Sequence, residues 1–306
     1  MCGLCGFTGE IIDRDAVLEN MTEVITHRGP DSKGFYTDDK ISMGFRRLSI
    51  IDLDNGSQPI YNEDKTLVLM FNGEIYNYKQ LRKELQEKGH VFATDTDSEV
   101  LVHGFEEWRE DLLNRLRGMF GFAIWNRTDE SLFIARDFFG IKPMHYTQVG
   151  GHFLYASEIK SILKFPGFEK KFNYRTLDNY LSFQYAVPPE TFFEGVYCLL
   201  PGHYLWYRDG KVETTRYWEA RFNPDESLTE EQAVDEIEKV FEESVNAHKI
   251  SDVEVGCFLS SGVDSSYVST YFADQKTFTV GFDFGEKYNE ISWAERLSKK
   301  IGVEHH

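Results

Sequence analysis

Two cysteines stand at the start of the chain, in the string MCGLCGF, as Cys2 and Cys5. A Cys-x-x-Cys pair can hold zinc, but such a site needs two more ligands, and Cys198 and Cys257 are isolated in the sequence. The same spacing occurs in redox sites that follow a strand and open a helix, whereas here it comes first in the chain. Since most cysteines are small buried side chains, a place in the core is the simplest interpretation of both.

The position of Cys2 directly behind Met1 offers a different chemistry. Initiator methionine is commonly removed before a small residue, which would leave a thiol and a free α-amine on one carbon. An α-amine has an ordinary pKa of about 7.7 to 8.0, so part of it is neutral near pH 7 and can accept the thiol proton. Cys2 would then supply both the nucleophile and the base of a hydrolase.

The composition limits the substrates of such a site. The 306 residues include 33 Lys and Arg against 51 Asp and Glu, a net charge of −18. This balance argues against nucleic-acid or anionic-membrane partners, because the protein's field repels phosphate, and it favours small molecules. With no apolar run of the roughly 18 residues of a membrane helix and no signal-peptide layout, we expect a cytoplasmic protein with reduced thiols.

Apolar runs alternate with amphipathic segments over the first two hundred residues and predict a mixed, strand-rich fold. A stripe at i, i+4, i+7 and i+8 predicts a helix near 15–26, and Leu81 and Leu85 predict another that stops at Gly89. The polar centre of AIWNRTDESLFIA predicts a hairpin. Strands are predicted at 41–45, 67–72, 120–126, 131–137 and 152–157.

The composition changes around RFNPDESLTEEQAV, and we place a domain boundary after residue 222. Thr229 and Gln232 then predict a capping box and a helix. Farther on, DVEVGCFLSSGVDSS predicts a buried strand over 253–259, a turn of small residues and a helix, with a second strand at 277–282. This order opens an α/β nucleotide-type domain. Since only about eighty residues follow the boundary, too few to cover both faces of a parallel sheet, we expect the second domain to be incomplete.

Six motifs follow MCGLCG in a fixed order: HRGPDSKG at 27–34, RRLSIIDL at 46–53, FNGEIYNY at 71–78, TDTDSEV at 94–100, GMFGFAIW at 118–125 and ARDFFGIKP at 135–143. Together they closely resemble the class II glutamine amidotransferase domain, an N-terminal-nucleophile hydrolase. The strings FLSSGVDSS, FTVGF and EHH narrow the resemblance to the glutamine-hydrolysing asparagine synthetase family. The resemblance implies a four-layer αββα glutaminase domain over 2–222, and over 223–306 the N-terminal part of a parallel-sheet ATP pyrophosphatase-type domain.

The resemblance implies roles for the residues of a glutaminase reaction. Cys2 would attack the δ-carbonyl of glutamine, with its own α-amine as base. The Asn72 side chain and the Gly73 N–H would hold the oxyanion, although an Asn-Gly dipeptide taken alone favours a hairpin turn. His27 is expected to be structural, since the α-amine already supplies a base, and the Arg-Gly-Pro-Asp loop that follows it would shape the pocket.

The same resemblance implies the groups that recognise the amino-acid end of glutamine. Arg47 would bind the α-carboxylate through its planar guanidinium. Its neighbour Arg46 is expected to be a solvated charge. Glu74 and Asp97 would accept hydrogen bonds from the α-ammonium.

The string LSSGVDSS lacks the Gly-Lys-Ser/Thr of a Walker A motif. It resembles the Ser-Gly-Gly-x-Asp-Ser loop of enzymes that cleave ATP between the α and β phosphates, with Ser261 in place of the first glycine. Backbone N–H groups at a helix N-terminus would hold the pyrophosphate, but read without the family the string is a strand-to-helix turn. Mg²⁺ is expected with ATP, and its ligands stay unassigned. The positions that the resemblance gives to ATP are Leu259, Ser260, Ser261, Gly262, Asp264, Ser265, Val280 and Gly281.

These roles combine into glutamine-dependent asparagine synthesis, in which ammonia amidates aspartate activated by ATP as β-aspartyl-AMP. Because the later motifs of the family are absent, we expect this chain to carry the glutaminase half only. The expected partners are glutamine, aspartate and ATP, and we also consider a homodimer. The alternatives are another class II amidotransferase, of the glutamine-fructose-6-phosphate or phosphoribosyl type, and a non-catalytic module that binds a metal through Cys2 and Cys5.

Overall fold

The computed structural model describes residues 1–52, 56–272, 275–282, 285 and 289–306. Its contacts divide the chain into two units, Met1–Arg221 and Phe222–His306. The boundary predicted after residue 222 lies beside this division, and the function of each unit stays a prediction. Among the described residues, no helix combines the length and the apolar character that crossing a membrane requires.

The described residues of the first unit form two six-stranded sheets, with the strand orders β10-β8-β9-β1-β3-β2 and β12-β11-β7-β6-β5-β4. Every strand pair in both sheets is antiparallel. The strands are β1 (Gly3–Thr8), β2 (Ser32–Thr37), β3 (Ile41–Arg47), β4 (Ile60–Tyr61), β5 (Leu67–Ile75), β6 (Gly118–Asn126), β7 (Ser131–Arg136), β8 (His145–Val149), β9 (His152–Ala156), β10 (Tyr197–Cys198), β11 (His203–Arg208) and β12 (Lys211–Arg216).

Helices cover the outer face of each sheet. Of the described helices, α1 and α4 contact β1, β3 and β9 of the first sheet, while α3, with α2 beside it, contacts β4 and β5 of the second. Two 3₁₀ turns, Thr26–Arg28 and Arg109–Asn114, lie between elements. The helices of this unit are α1 (Arg14–Glu23), α2 (Tyr78–Glu87), α3 (Glu99–Trp108), α4 (Ile159–Ile162) and α5 (Tyr174–Phe183).

The apolar side chains fill two layers of core. Leu4, Met70 and Trp125 pack between the two sheets, and Phe7 and Met21 pack between the first sheet and its helices. Since β1 is covered on both faces, all of its residues are buried and it reads as a continuous apolar run rather than as an alternating one. The four-layer αββα arrangement implied by the resemblance is thereby confirmed.

Local predictions in this unit are largely confirmed. The hairpin in AIWNRTDESLFIA is β6 and β7, which close at the pair Asn126 and Ser131. The first helix ends at Glu23, a little earlier than the apolar stripe suggested. After α2, the stop residue Gly89 has a φ of +106°, which glycine adopts without strain.

The second unit contains a parallel sheet in the order β13-β14-β15. The predicted capping box is confirmed, because Thr229 Oγ1 accepts from Gln232 N and Gln232 Oε1 accepts from Thr229 N. Among the described residues its elements are α6 (Glu230–His248), β13 (Gly256–Phe258), α7 (Val263–Thr270), β14 (Lys276–Phe278), α8 (Ile291–Ile301) and β15 (Glu304–His305).

Both strand predictions for this unit were too long, and the first was wrong about burial. β13 has three residues, and the Phe258 side chain is 78% exposed. An alternating strand buries a side chain only where another layer covers that face, and in the described part of the unit nothing buries Phe258. β14 ends at Phe278, after which Thr279 bonds through its hydroxyl to the Leu259 carbonyl.

Candidate active site

One cavity of about 230 Å³ in the first unit is lined by all six residues predicted for glutamine hydrolysis. They come from distant parts of the sequence: the N-terminus, the end of β3, the second half of β5 and the segment before α3. The antiparallel pairing of β1 with β3, and the stacking of the two sheets, bring these segments together. The six residues are Cys2, Arg47, Asn72, Gly73, Glu74 and Asp97.

The Cys2 thiol lies against the backbone of Leu48. The Leu48 N–H donates to Sγ at 3.3 Å, and the thiol faces the Leu48 carbonyl at 3.5 Å. Burial raises the pKa of the Cys2 thiol, and the Leu48 N–H, the terminal amine and the cations Arg47 and Lys142 offset this only in part. The thiol is therefore protonated at neutral pH and needs a base before it can attack a carbonyl.

Cys5 has a different environment from Cys2. It belongs to the core between the first sheet and its helices, whereas Cys2 packs against the core between the sheets. Its Sγ lies 3.5 Å from Thr22 Oγ1, and burial raises its pKa to about 12. Because the two thiols lie in separate layers, the interpretation of Cys2 and Cys5 as a zinc or redox pair was wrong, and the assignment of Cys5 to the core is confirmed.

The terminal amine is carried by Met1 in this structure, and Met1 lines the same cavity as Cys2. Burial lowers the pKa of this amine, and the charges of Arg28 and Lys142 lower it further. Lys142 Nζ is 3.0 Å from Met1 Sδ, and Arg28 Nε donates to the Cys2 carbonyl at 2.9 Å. An amine with a lowered pKa is more often neutral at pH 7 and so is better able to take up a proton.

The edge of β5 presents a backbone donor to the cavity. Phe71 N donates to Gln58 Oε1 at 2.6 Å, and Ile75 N donates to Asp97 Oδ2 at 2.8 Å. Alternate N–H groups of a strand point to the same side, so the Gly73 N–H lies between these two on the edge opposite β6. The hairpin turn that the Asn-Gly dipeptide alone would favour does not form, since both residues lie within β5.

The Asn72 side chain adds a second donor. Its Nδ2 is buried and has no hydrogen-bond partner among the described residues, and only 1% of the residue is exposed. A buried donor without an acceptor costs about 1–3 kcal/mol, which an oxygen atom of a ligand would recover. Asn72 and Gly73 together therefore form a candidate oxyanion hole.

The buried Arg47 side chain, which lines the cavity, is anchored by the chain that follows β3. Its Nη2 donates to the Ile51 and Asp52 carbonyls at 3.2 and 2.5 Å. A Cβ at Gly56 would overlap this guanidinium and would lie 2.9 Å from the Asp52 carbonyl oxygen, so the position requires glycine.

Arg46 lies on the opposite face of β3 from Arg47. It is only 7% exposed, donates to the Thr22 carbonyl at 3.4 Å and pairs with Glu23 of α1. The expectation of a solvated charge was wrong, because a sheet covered on both faces buries both of two successive side chains.

Two carboxylates form the acidic side of the cavity. Asp97 is 6% exposed, and burial raises its pKa to about 7, against the opposing effect of the Ile75 N–H and with a further contribution from Glu74. Glu74 is half-buried. Glu99, at the start of α3, accepts from the backbone of Ala93 and Thr94 and so holds the segment that leads to Asp97.

Lys142 also lines the cavity, although no spacing in the sequence had pointed to it. Burial lowers the pKa of Lys142, against the opposing charges of Glu74 and Asp137. The buried Asp137 carboxylate accepts from the N–H groups of Ile141 and Lys142, both at 2.9 Å, and fixes the loop after β7. Both Asp137 and Lys142 belong to the motif ARDFFGIKP, which was therefore the part of the sequence that could have indicated this lysine. His27, by contrast, bonds to Glu158 at 2.8 Å and is not among the residues that line the cavity.

The second unit has a compact loop at the positions expected for ATP. Ser260 Oγ and Ser265 Oγ are 2.8 Å apart, and the Gly262 N–H donates to Ser260 Oγ at 3.1 Å. Ser261 Oγ donates to Glu290 Oε1 at 2.8 Å. Asp264 is exposed in the first turn of α7.

Three further positions expected for ATP flank this loop. Leu259 is buried and bonds to the Phe278 carbonyl. Val280 and Gly281 were predicted within a strand, but they lie beyond the end of β14, where Val280 is 68% exposed.

Comparisons with known proteins match a different family to each of the two units. Residues 1–218 match the family described as glutamine amidotransferase domain, and residues 236–306 match asparagine synthase. The chain is 40% identical to asparagine synthetase [glutamine-hydrolyzing] 1 of Bacillus subtilis over 98% of its length and 49% of that protein. It is 37% identical to a putative asparagine synthetase of Mycobacterium bovis, over its full length and 51% of that protein.

Among solved structures, the chain is similar to a glutamine phosphoribosylpyrophosphate amidotransferase from B. subtilis. The TM-score is 0.53 at 17% identity, covering 99% of this chain and 71% of that one, a likeness of fold. The chain spans about half the length of the curated relatives named above. With its first unit matched almost throughout, the chain belongs to the glutamine amidotransferase domain family and carries an asparagine synthase segment behind that domain.

Proposed function

We propose that the first unit hydrolyses the side-chain amide of glutamine to glutamate and ammonia. The observation that carries this proposal is the lining of one cavity by Cys2, two oxyanion donors, a guanidinium and two carboxylates. A thiol with a raised pKa requires a nearby base. Removal of Met1 would place the terminal amine on Cys2 itself.

The reaction follows from this arrangement. The Cys2 amine accepts the thiol proton as Sγ adds to Cδ of glutamine, and the carbonyl oxygen becomes an oxyanion held by Asn72 Nδ2 and the Gly73 N–H. As the intermediate collapses, the amine returns the proton to the departing ammonia and a thioester remains. Water then adds to the thioester, and the products are glutamate and the free thiol.

Substrate recognition uses the opposite charges of Arg47 and of the carboxylates Glu74 and Asp97 in the cavity. Arg47 binds the α-carboxylate of glutamine through charge-assisted hydrogen bonds. Glu74 and Asp97 accept from the α-ammonium, and the charge of that ammonium favours the ionised form of Asp97. The three groups orient the substrate so that its δ-carbonyl faces Cys2.

We infer further that the released ammonia amidates aspartate, activated by ATP as β-aspartyl-AMP, with release of AMP and pyrophosphate. Support comes from the asparagine synthase match of the second unit and the names of the relatives. The ATP phosphates would meet the N–H groups around Ser260–Ser265 at the start of α7. Asp264 and Glu290 offer carboxylate oxygens of the kind that Mg²⁺ binds, and the ion would neutralise phosphate charge. We also propose that the protein forms a homodimer and is located in the cytoplasm.

The two cysteines provide a matched test of the glutaminase proposal. We expect Cys2→Ala to lower glutamate release from glutamine by at least about 10³-fold, because the reaction loses its nucleophile. Cys5→Ala, which removes a buried thiol outside the cavity, should keep the activity of the wild type. Intact mass spectrometry of active protein should show Cys2 at the N-terminus. Undiminished activity in Cys2→Ala, or active protein that retains Met1, would contradict the mechanism.

A separate experiment tests the synthetase proposal. Protein expressed from the complete gene should exchange labelled pyrophosphate into ATP only when aspartate is present. Exchange that is independent of aspartate, or absent in protein with full glutaminase activity, would rule out aspartate as the acceptor.

A further inference from the structure

A second group of chemically active side chains lies outside the candidate active site. It consists of Glu63, His90, His103 and Glu106, each of which contributes one nitrogen or oxygen atom, and these atoms all lie within 4.8 Å of one another. Glu63 is in the connection between β4 and β5, and His90 follows the end of α2. His103 and Glu106 are three residues apart on α3, a spacing that places them on one helical face.

His103 is oriented toward the centre of this group. Its side chain is 1% exposed, and its Nε2 lies 3.3 Å from Glu99 Oε1, which is equally buried. A metal ion bound at Nδ1 would leave the proton on Nε2, which would then donate to the Glu99 carboxylate. Nδ1 is 3.2 Å from Glu63 Oε2 and is a buried nitrogen without a hydrogen bond among the described residues.

His90 is arranged in the same way. Its Nδ1 faces Glu63 Oε1 at 3.4 Å and Glu106 Oε2 at 4.0 Å, while its Nε2 lies 3.7 Å from Glu107 Oε2. Each imidazole thus has a carboxylate near its outer nitrogen, and at His103 that carboxylate is within hydrogen-bond distance. A hydrogen bond of this kind fixes the tautomer and orientation of a histidine that binds a metal ion.

The distances fit a small tetrahedral ion. Metal–ligand bonds of about 2.0–2.1 Å place neighbouring ligand atoms about 3.3 Å apart. His103 Nδ1 is 3.2 Å from Glu63 Oε2, and His90 Nδ1 is 3.4 Å from Oε1 of the same carboxylate. The longer separation to Glu106 requires a rotation of that exposed side chain and the loss of its hydrogen bond from Asn62 Nδ2, which is 3.1 Å long. Two imidazole nitrogens with two carboxylate oxygens suit Zn²⁺ or Co²⁺ better than Mg²⁺ or Ca²⁺, which prefer oxygen ligands.

We propose that Glu63, His90, His103 and Glu106 bind one divalent transition-metal ion of the Zn²⁺ type. The ion joins the β4–β5 connection, the end of α2 and the middle of α3. Its effect reaches the segment before α3, because the Glu99 carboxylate that orients His103 also accepts from the N–H groups of Ala93 and Thr94, both at 2.7 Å. The role is therefore structural, and it stabilises the wall of the cavity that contains Asp97.

Binding of Zn²⁺ alone to the purified chain tests this assignment. Equilibrium dialysis should show one equivalent bound, and affinity should fall at least about tenfold in His90→Gln and in Glu106→Gln, since each loses a ligand. The matched control is His306→Gln, because His306 also pairs with a glutamate, Glu304, at 2.9 Å but lies outside the cluster. The control should bind Zn²⁺ as the wild type does.

Two further measurements separate a metal site from an ordinary group of ion pairs. At a hundredfold excess of Zn²⁺ over its Kd, the Tm of the first unit should rise by about 5 °C or more. Hydrogen exchange at Ala93 and Thr94 should slow on addition of Zn²⁺ in the wild type but not in the His90→Gln, Glu106→Gln double variant. No saturable binding, or equal affinity in the wild type and the double variant, would overturn the proposal.

Discussion

The cavity of the first unit and the serine-rich loop of the second hold their candidate residues in different ways. Asn72 and Asp97 are almost fully buried and are fixed by strands or by backbone N–H donors. Ser261 and Asp264 are exposed, and the loop around them is held by hydroxyl bonds. A site built on covered sheets has its geometry before the substrate arrives, whereas an exposed loop gains part of its order from its ligand.

The covering layers explain this contrast. In the first unit, two sheets and their helices bury both faces of strands such as β1 and β7. In the described part of the second unit, the strands have two or three residues and Phe258 and Val280 are exposed. Substitutions in the cavity should therefore change catalysis by large factors, and substitutions in the loop should change nucleotide affinity by small ones.

The largest effect after loss of the nucleophile is expected for Asn72→Ala. Removing one oxyanion donor typically lowers kcat by about 10²–10³-fold, and KM for glutamine should change little. Steady-state glutamate release measures both constants. Asn126→Ala, which removes a buried asparagine at the far end of the paired strand β6, is the control and should leave kcat unchanged. A rise in KM at constant kcat in Asn72→Ala would assign this side chain to substrate binding instead.

The next largest effect is expected on the KM for glutamine when the position of the Arg47 guanidinium is disturbed. In Gly56→Ala the new methyl group displaces the guanidinium, and loss of a charge-assisted hydrogen bond should raise the KM for glutamine by about thirtyfold. Arg47→Lys should raise KM in the same way. If both changes act on one contact, the double variant should be little worse than either single variant. Additive effects would show that Gly56 acts independently of Arg47.

The sequence predicted local features of both units well because their signals are local. The capping box at Thr229 and the hairpin that ends at Ser131 depend on residues close together in the chain. The assembly of the cavity followed from the family resemblance, since no periodicity places Asp97 beside Ile75. Arg46 and Phe258 were misjudged for a shared reason: their burial depends on whether another layer covers their face, which sequence spacing does not report.

A smaller effect, of about tenfold, is expected for the pH dependence of glutamine binding. Burial raises the pKa of Asp97 to about 7, so its ionised fraction falls about tenfold from pH 8 to pH 6. Because the substrate ammonium requires the ionised carboxylate, the KM for glutamine should rise about tenfold over the same range. Asp97→Asn should have a high KM that does not vary with pH. A wild-type KM that is constant between these pH values would contradict the role of Asp97.

The smallest effect is expected in the serine loop. Ser265→Ala removes the hydroxyl that bonds to both Ser260 Oγ and Ser260 N, and the loss of about 1 kcal/mol of loop order should weaken ATP binding about fivefold. Titration calorimetry with ATP and Mg²⁺ measures this change. Ser269→Ala is the matched control, because among the described residues that hydroxyl bonds only to the Ser266 carbonyl within α7. A loss as large as that of Asn72→Ala would mean that the loop is preformed like the cavity, and equal affinities in both serine variants would place the nucleotide elsewhere.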